Sequence, residues 1–236
     1  MNKHWFVALA LCQGGAALAQ DSGVSVSVGV RAWYTEWTTF NYITEPDGAG
    51  GTRNTGLRQV SATNKLVSIA ILSVRYGDFS GSISAFPSTQ YSFSDDSNGP
   101  RKEYDLNLGY AVLPGLSLTL GYKQVTQFGG ENRYRPSGPL VGATGTAALS
   151  GAWSLYGTVG VGRLKTPAGD TVSYKANYRL TEAGLAYALD SDGLLAKRWT
   201  FTGGYRMQVM SSKDAFQGQD GQDTTQGFTL GVIATF

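Results

Sequence analysis

The chain has 236 residues, enough for one sizeable domain, yet only 15% of them are charged, well under the share usual for a soluble surface. Nineteen Lys and Arg against 17 Asp and Glu give a formal charge of +2, which makes no general electrostatic case for nucleic acid. Mean hydropathy is nonetheless slightly negative, at −0.16, and no apolar run reaches the roughly 18 residues of a spanning helix, so a helical membrane bundle is excluded.

In chain order, residues 1–19 read as a cleaved secretory signal peptide. Lys3 supplies the positive start, residues 5–12 the short apolar core, and Ala17-Leu18-Ala19 the small-residue cleavage pattern. Cys12 is a poor lipidation site, because bulky Leu11 stands where a small residue is preferred. Cleavage after Ala19 also removes the only Cys and the only His, Cys12 and His4. Residues 20–236 are then expected to form one domain without disulfide, thiol or imidazole chemistry.

From there the signal is alternation of period two. Residues 24–37 place Val24, Val26, Val28, Val30, Ala32 and Tyr34 on one face and Ser25, Ser27, Gly29 and Arg31 on the other. Residues 66–76 are apolar on both faces, and their phase is set by putting Arg75 inside. Residues 79–93 set Ile83, Ala85 and Tyr91 against serines, with Pro87 weakening the outer half. Leu106, Leu108 and Tyr110 alternate with Asp105, Asn107 and Gly109, and Leu116, Leu118 and Leu120 with Ser117, Thr119 and Gly121. Residues 140–149 are rich in small side chains. In 153–161, Trp153, Leu155, Val159 and Val161 share a face. Residues 174–189 change phase near Thr181 and Glu182, which predicts a bulge. Residues 199–209 alternate again, and 228–236 most clearly of all, with Phe228, Leu230, Val232, Ala234 and Phe236 on one side.

That makes about ten strands, eight or twelve being the alternatives. Tight connections near residues 77–78, 114–115, 150–151 and 190–198 alternate with longer polar ones at 40–64, 94–102, 129–138, 166–173 and 211–224. Aromatics fall at both strand ends: Tyr76, Phe79, Tyr110, Trp153, Tyr187, Trp199 and Phe236 beside the short turns, and Tyr34, Tyr91, Tyr104, Tyr122, Tyr174 and Phe228 toward the long loops. A soluble sandwich needs neither feature. The expected fold is all-β: a single closed antiparallel transmembrane β-barrel with both termini at the short-turn side.

The Ala-Leu-Ala signal end, the alternating strands and the last strand, Gly227-Phe228-Thr229-Leu230-Gly231-Val232-Ile233-Ala234-Thr235-Phe236, resemble bacterial outer-membrane β-barrel proteins. The resemblance is to the class and implies a Gram-negative outer membrane, periplasmic termini and extracellular long loops. It also implies contact with outer-membrane lipid and lipopolysaccharide. It makes Phe228, Leu230, Val232, Ala234 and Phe236 the signal read by the barrel-assembly machinery. Oligomeric state, solute and loop partner are not legible.

Enzymes among small outer-membrane barrels, such as omptin-type proteases, lipid A deacylases and the outer-membrane phospholipase, rely on a His as base, which residues 20–236 lack. A non-enzymatic protein without cofactor or metal is therefore expected, leaving only a carboxylate mechanism through Glu103, Asp105 or Glu182 as an enzymatic alternative. Residues 157–162 resemble a nucleotide-binding glycine run without the surrounding βα unit, and Asp95-Asp96 and Asp220-Gly-Gln-Asp223 read as turns before cation sites. Arg31, Arg75, Glu103, Asp105, Lys123, Glu182 and Arg206 are expected to face the lumen, because an Arg or Lys in lipid at mid-membrane costs about 2–4 kcal/mol. They would line a narrow porin-like pore for small polar solutes, or pair with one another and plug a structural scaffold. A loop-based binder or adhesin is the alternative.

Overall fold

The computed structural model describes residues 23–128, 133–167, 175–191 and 195–236; the expected signal peptide and Tyr174 lie outside the described residues. Eleven strands follow one another: β1 (Val24–Pro46), β2 (Thr52–Ser61), β3 (Lys65–Tyr76), β4 (Phe79–Ser92), β5 (Asn98–Leu113), β6 (Leu116–Gln127), β7 (Ser137–Ala148), β8 (Trp153–Lys165), β9 (Lys175–Asp190), β10 (Arg198–Phe216) and β11 (Gln219–Thr235). Neighbours pair antiparallel, and β11 pairs back onto β1 from Ser27↔Thr235 to Thr38↔Thr224. Ten strands close the barrel, and β2 is an addition at one end.

The wall forms where one strand face is apolar and the other is not. Leu106, Leu108, Leu118, Leu120, Val159, Phe228 and Leu230 are 51–69% exposed on the outside. An apolar belt of this extent is not a surface for water, whereas it matches lipid. Tyr76, Phe79, Tyr110, Trp153 and Phe236 rim the belt at the short-turn end, and Tyr34, Tyr104, Tyr122 and Phe228 at the other. Pairs such as Phe79–Tyr110 (5.0 Å) and Trp153–Tyr187 (5.1 Å) tie adjoining strands within the rim. On β11, Phe228, Leu230, Val232 and Ala234 face outward in the expected phase, with Phe236 following, and Thr229, Gly231 and Ile233 face in.

Three expected loops need correction. Residues 40–64 are not a loop: β1 continues to Pro46 and β2 returns along it, so β2 and β3 together make one long partner for β1 with a one-residue offset at 62–64. Asp47 closes the tip by accepting from the backbone N–H groups of Ala49 (2.8 Å) and Gly51 (2.9 Å). Residues 211–224 likewise belong to a hairpin, turning at Gln217 (φ 46°) and Gly218 (φ 83°), the two positive φ values that a tight hairpin turn needs. Both stretches stand clear of the apolar belt, so their outer faces are polar and the alternation disappears although the strands do not. Similarly, residues 98–102 open β5 rather than ending a loop.

Phase is corrected in two strands. Phe86 pairs with Glu103 and Thr89 with Arg101, so Pro87 and Ser88 stand opposite one residue, Lys102. Proline has no N–H to give to the ladder, and a bulge is where a strand accommodates it. The bulge turns Tyr91, expected outside, fully inward, with 0% exposure. In β9 there is no bulge near Thr181 and Glu182, since pairing with β8 and β10 is continuous. Tyr178 and Leu180 face in, against Leu140, Leu164 and Met210, because this sector of the lumen is apolar.

The closing seam carries one strict backbone requirement. Gly227 has φ +148°, and a Cβ there would fall on the Tyr34 carbonyl oxygen of the opposing strand. Gly227→Ala is expected to destabilise the barrel by about 1–3 kcal/mol and to slow closure. Urea unfolding followed by the heat-dependent gel shift of folded barrel would measure both; an unchanged midpoint and rate would refute the requirement.

Candidate functional site

The lumen is occupied by charge. Register sets Glu182 of β9 beside Arg206 of β10, and Arg31 of β1 reaches it across the interior. Glu182 Oε2 accepts from Arg206 (2.8 Å) and Arg31 (3.2 Å), while the Tyr156 hydroxyl donates to Oε1 (3.1 Å). The Arg206 guanidinium lies over the Trp33 ring, 5.4 Å from its centre. Toward the long loops a second group forms. Glu103 accepts from Arg101 (2.8 Å) and Lys123 (2.6 Å), Lys123 also donates to Asp105 (2.9 Å), and Arg101 donates to Asp223 (2.9 Å). Asp223 further accepts from Trp37 Nε1 (2.7 Å) and Gln127 Nε2 (2.8 Å).

Gln208 joins the two groups. Oriented to satisfy its surroundings, its amide nitrogen donates to Glu103 (3.1 Å) and its oxygen accepts from Arg206 (3.0 Å). Four cations, Arg31, Arg101, Lys123 and Arg206, thus face four anions, Glu103, Asp105, Glu182 and Asp223. The network is neutral, and each carboxylate is engaged by at least one cation, which is the condition for holding charges out of water. Beside it, Trp33, Trp37, Phe86, Tyr91 and Phe93 pack into an apolar mass, with Trp37 5.0 Å from Tyr91 and 4.9 Å from Phe93. The Thr35 and Tyr91 hydroxyls meet at 2.7 Å.

Six of the seven charged residues expected inside, Arg31, Glu103, Asp105, Lys123, Glu182 and Arg206, meet in this network. Arg75 does not: it sits half-exposed at the short-turn rim, where its Nε donates to the Gly77 carbonyl (2.9 Å). Arg101 and Asp223 fall in stretches expected to be loops, although each lies an even number of residues from an inward neighbour, Glu103 and Thr225. Continuing the period of two past the apolar belt would have found them. Trp33 and Trp37 lie on the same even spacing from Arg31 and fill the lumen where a polar lining was expected.

Above the network, at the long-loop mouth, a cup of about 170 Å³ opens between Phe40, Tyr42, Phe128, Tyr134 and Met210, with Asp223 in its lining. Asp95, in the β4–β5 turn, braces its rim. It accepts from Asn41 (3.1 Å) and Arg58 (2.8 Å) on the first hairpin and from the Ser97 hydroxyl (2.5 Å). The Ser97 hydroxyl foremost, then Asn41 and Arg58, hold the Asp95 carboxyl below its ordinary range against the opposing effect of partial burial.

No family model matches the chain, and no curated protein matches it. Among solved structures, the outer membrane protease OmpT from Escherichia coli is similar over 93% of this chain and 99% of its own, with 13% identity and a TM-score of 0.50. The outer membrane protein AlkL matches 100% of this chain and 97% of its own at 11% identity and a TM-score of 0.46, and a Pseudomonas aeruginosa FadL homologue 90% and 90% at 10% and 0.33. These neighbours are bacterial outer-membrane β-barrels, and at such identities the likeness is one of fold alone.

Glu182→Gln leaves Arg31 and Arg206 buried around a neutral amide and is expected to cost about 3–5 kcal/mol in urea unfolding; a loss under about 1 kcal/mol would mean the pairs contribute little. Asp95, with its pKa lowered by folding, stabilises the mouth above its ordinary range and ceases to do so as pH falls through the lowered value. Amide protection in residues 40–61 of the wild type should therefore fall only in strong acid, whereas Asp95→Asn should show the weakened state already at neutral pH. Equal protection in the two proteins at neutral pH would remove this brace.

Proposed function

We propose that the protein is an integral outer-membrane β-barrel with a sealed lumen, a non-enzymatic scaffold that displays a binding surface at its long-loop end. The neutral network of eight charged residues across the interior is the observation that carries this reading. Inward Ser27, Ser73, Ser117, Thr144, Thr158 and Thr200 support it, since each is at most 5% exposed and a water-filled channel would wet them. Such a barrel sits with its termini and short turns in the periplasm and its long hairpins outside. Its belt contacts outer-membrane lipid and lipopolysaccharide, and the barrel-assembly machinery reads Phe228, Leu230, Val232, Ala234 and Phe236. The absence of His from residues 20–236 and, among the described residues, the engagement of Glu103, Asp105, Glu182 and Asp223 by cations support a role without catalysis. The aromatic cup at the mouth supports binding of a small ligand or a loop partner there.

A narrow passive pore for small polar solutes is the second reading. A void of about 20 Å³ beside Ser82, Ser84, Asp105 and Arg206 favours it, because it shows slack along β4 large enough for a water molecule.

The deciding experiment is single-channel recording of the refolded chain in a planar bilayer, with a variant in which Arg31 and Arg206 are neutralised. The sealed reading expects no steady conductance from the wild type. Steady conductance whose ion selectivity moves in the variant would replace it with the pore.

A further inference from the structure

Four cations stand on the outside of the wall near the long loops. Arg163 and Lys165 of β8 and Lys175 and Arg179 of β9 occupy outward positions and are exposed. Register places Lys165 beside Lys175 and Arg179 beside Val161, two residues from Arg163. The four therefore cover two adjacent strands within steps of about 7 Å. Among the described residues no carboxylate pairs with any of them. Like charges set on neighbouring strands repel and destabilise the pairing unless an anion lies between them.

Beside Arg163 and Arg179, and on the short-turn side of Lys165 and Lys175, the outer wall is hollowed. A shallow depression of about 340 Å³ crosses β7, β8 and β9, lined on its outer side by Pro139, Val141, Val161, Asn177 and Arg179. Val141 and Val161 are exposed at 53% and 52% and belong to the apolar belt. Tyr122, its hydroxyl donating to Ser137 (3.0 Å), stands beside Pro139 on β6 and marks the rim of that belt. A cationic cluster thus borders an apolar trough at the level where a bilayer passes from chains to headgroups.

We propose that this face is a docking site for a phosphorylated lipid of the surrounding bilayer. Arg163, Lys165, Lys175 and Arg179 hold the phosphate, Arg giving paired N–H donors and Lys point charges, and one acyl chain lies in the trough over Val141 and Val161. Charge complementarity selects this occupant: a neutral lipid leaves the repulsion uncompensated, and a free anion leaves the trough empty. The proposal rests on the membrane placement given above.

Native mass spectrometry of the refolded full chain in neutral detergent tests it, using phosphatidic acid, diacylglycerol with the same chains, and inorganic phosphate as probes. One phosphatidic acid should be retained per barrel, at least tenfold more tightly than either other probe. The variant R163Q/K165Q/K175Q/R179Q should lose at least tenfold of that affinity. Val161→Trp, which fills the trough and keeps every charge, should lose several-fold. The heat-dependent gel shift establishes that each variant is folded, and K165Q/K175Q, changed only at strand ends, carries the same test with a smaller loss if the fourfold variant does not fold. Equal binding by folded variants, by diacylglycerol or by phosphate alone would overturn the site. Failure of the wild type to insert into lipid vesicles would instead overturn the membrane placement, and so is distinguishable.

Discussion

A charge held inside a barrel wall must be answered by another charge, and this constraint organises the interior. Burying a single carboxylate or guanidinium costs several kcal/mol, so Arg31 calls for Glu182, Glu182 is shared with Arg206, and Gln208 hands the chain of contacts on to Glu103. The pairing links β1, β5, β6, β9, β10 and β11, strands that in part share no backbone hydrogen bonds. The network therefore does for the interior what the ladder does for the wall: it fixes which strands stand opposite each other across the lumen. The aromatic mass around Trp33 and Trp37 takes up the remaining volume on the β1–β5 side, so charge and packing share the cross-section.

The two ends of the barrel follow from different physics. At the short-turn end, connections such as Gly77-Asp78 need only reverse the chain, and the rim is aromatic and apolar. At the other end β1, β2, β10 and β11 run on past the belt as hairpins, held by side-chain contacts that water does not compete away entirely. Tyr42 lies 5.7 Å from Phe216, and Leu57 N–H donates to the Gln219 side chain (3.0 Å). A rigid raised mouth is the result, and the cup sits within it. A surface meant for recognition gains from such bracing, because less freedom is lost when a partner docks.

Much of the wall could be read from residue order because lipid imposes a test that water does not: every second residue must be apolar. Where that test applied, at 104–112, 116–123, 199–209 and 228–236, strands and faces agree with the structure. Where a strand leaves the belt, the outer residues become polar and the period loses contrast, which is why residues 40–46, 52–61 and 211–223 looked like loops. The lumen was harder for the opposite reason. Val67, Ile69 and Ile71 face inward and are as apolar as their outward neighbours, so only Arg75 fixed the phase of β3. Opposite partners such as Arg31 and Glu182 lie 151 residues apart, and no local pattern announces that they meet.

The bulge at Pro87 and Ser88 has a consequence for how β4 tolerates change. Before it, odd-numbered residues such as Ile83 and Ala85 face out and even-numbered ones face in; after it, Tyr91 and Phe93 are buried while Gln90 and Ser92 lie on the other side. One strand thus carries two grammars of substitution, inverted within about two residues. Deleting Ser88 would leave one residue opposite Lys102 and both halves on their present faces, whereas deleting a residue elsewhere in β4 would set part of the strand against the lipid or the lumen. The proline is in this sense punctuation: it lets a sequence with a single continuous backbone serve two opposed patterns of hydrophobicity.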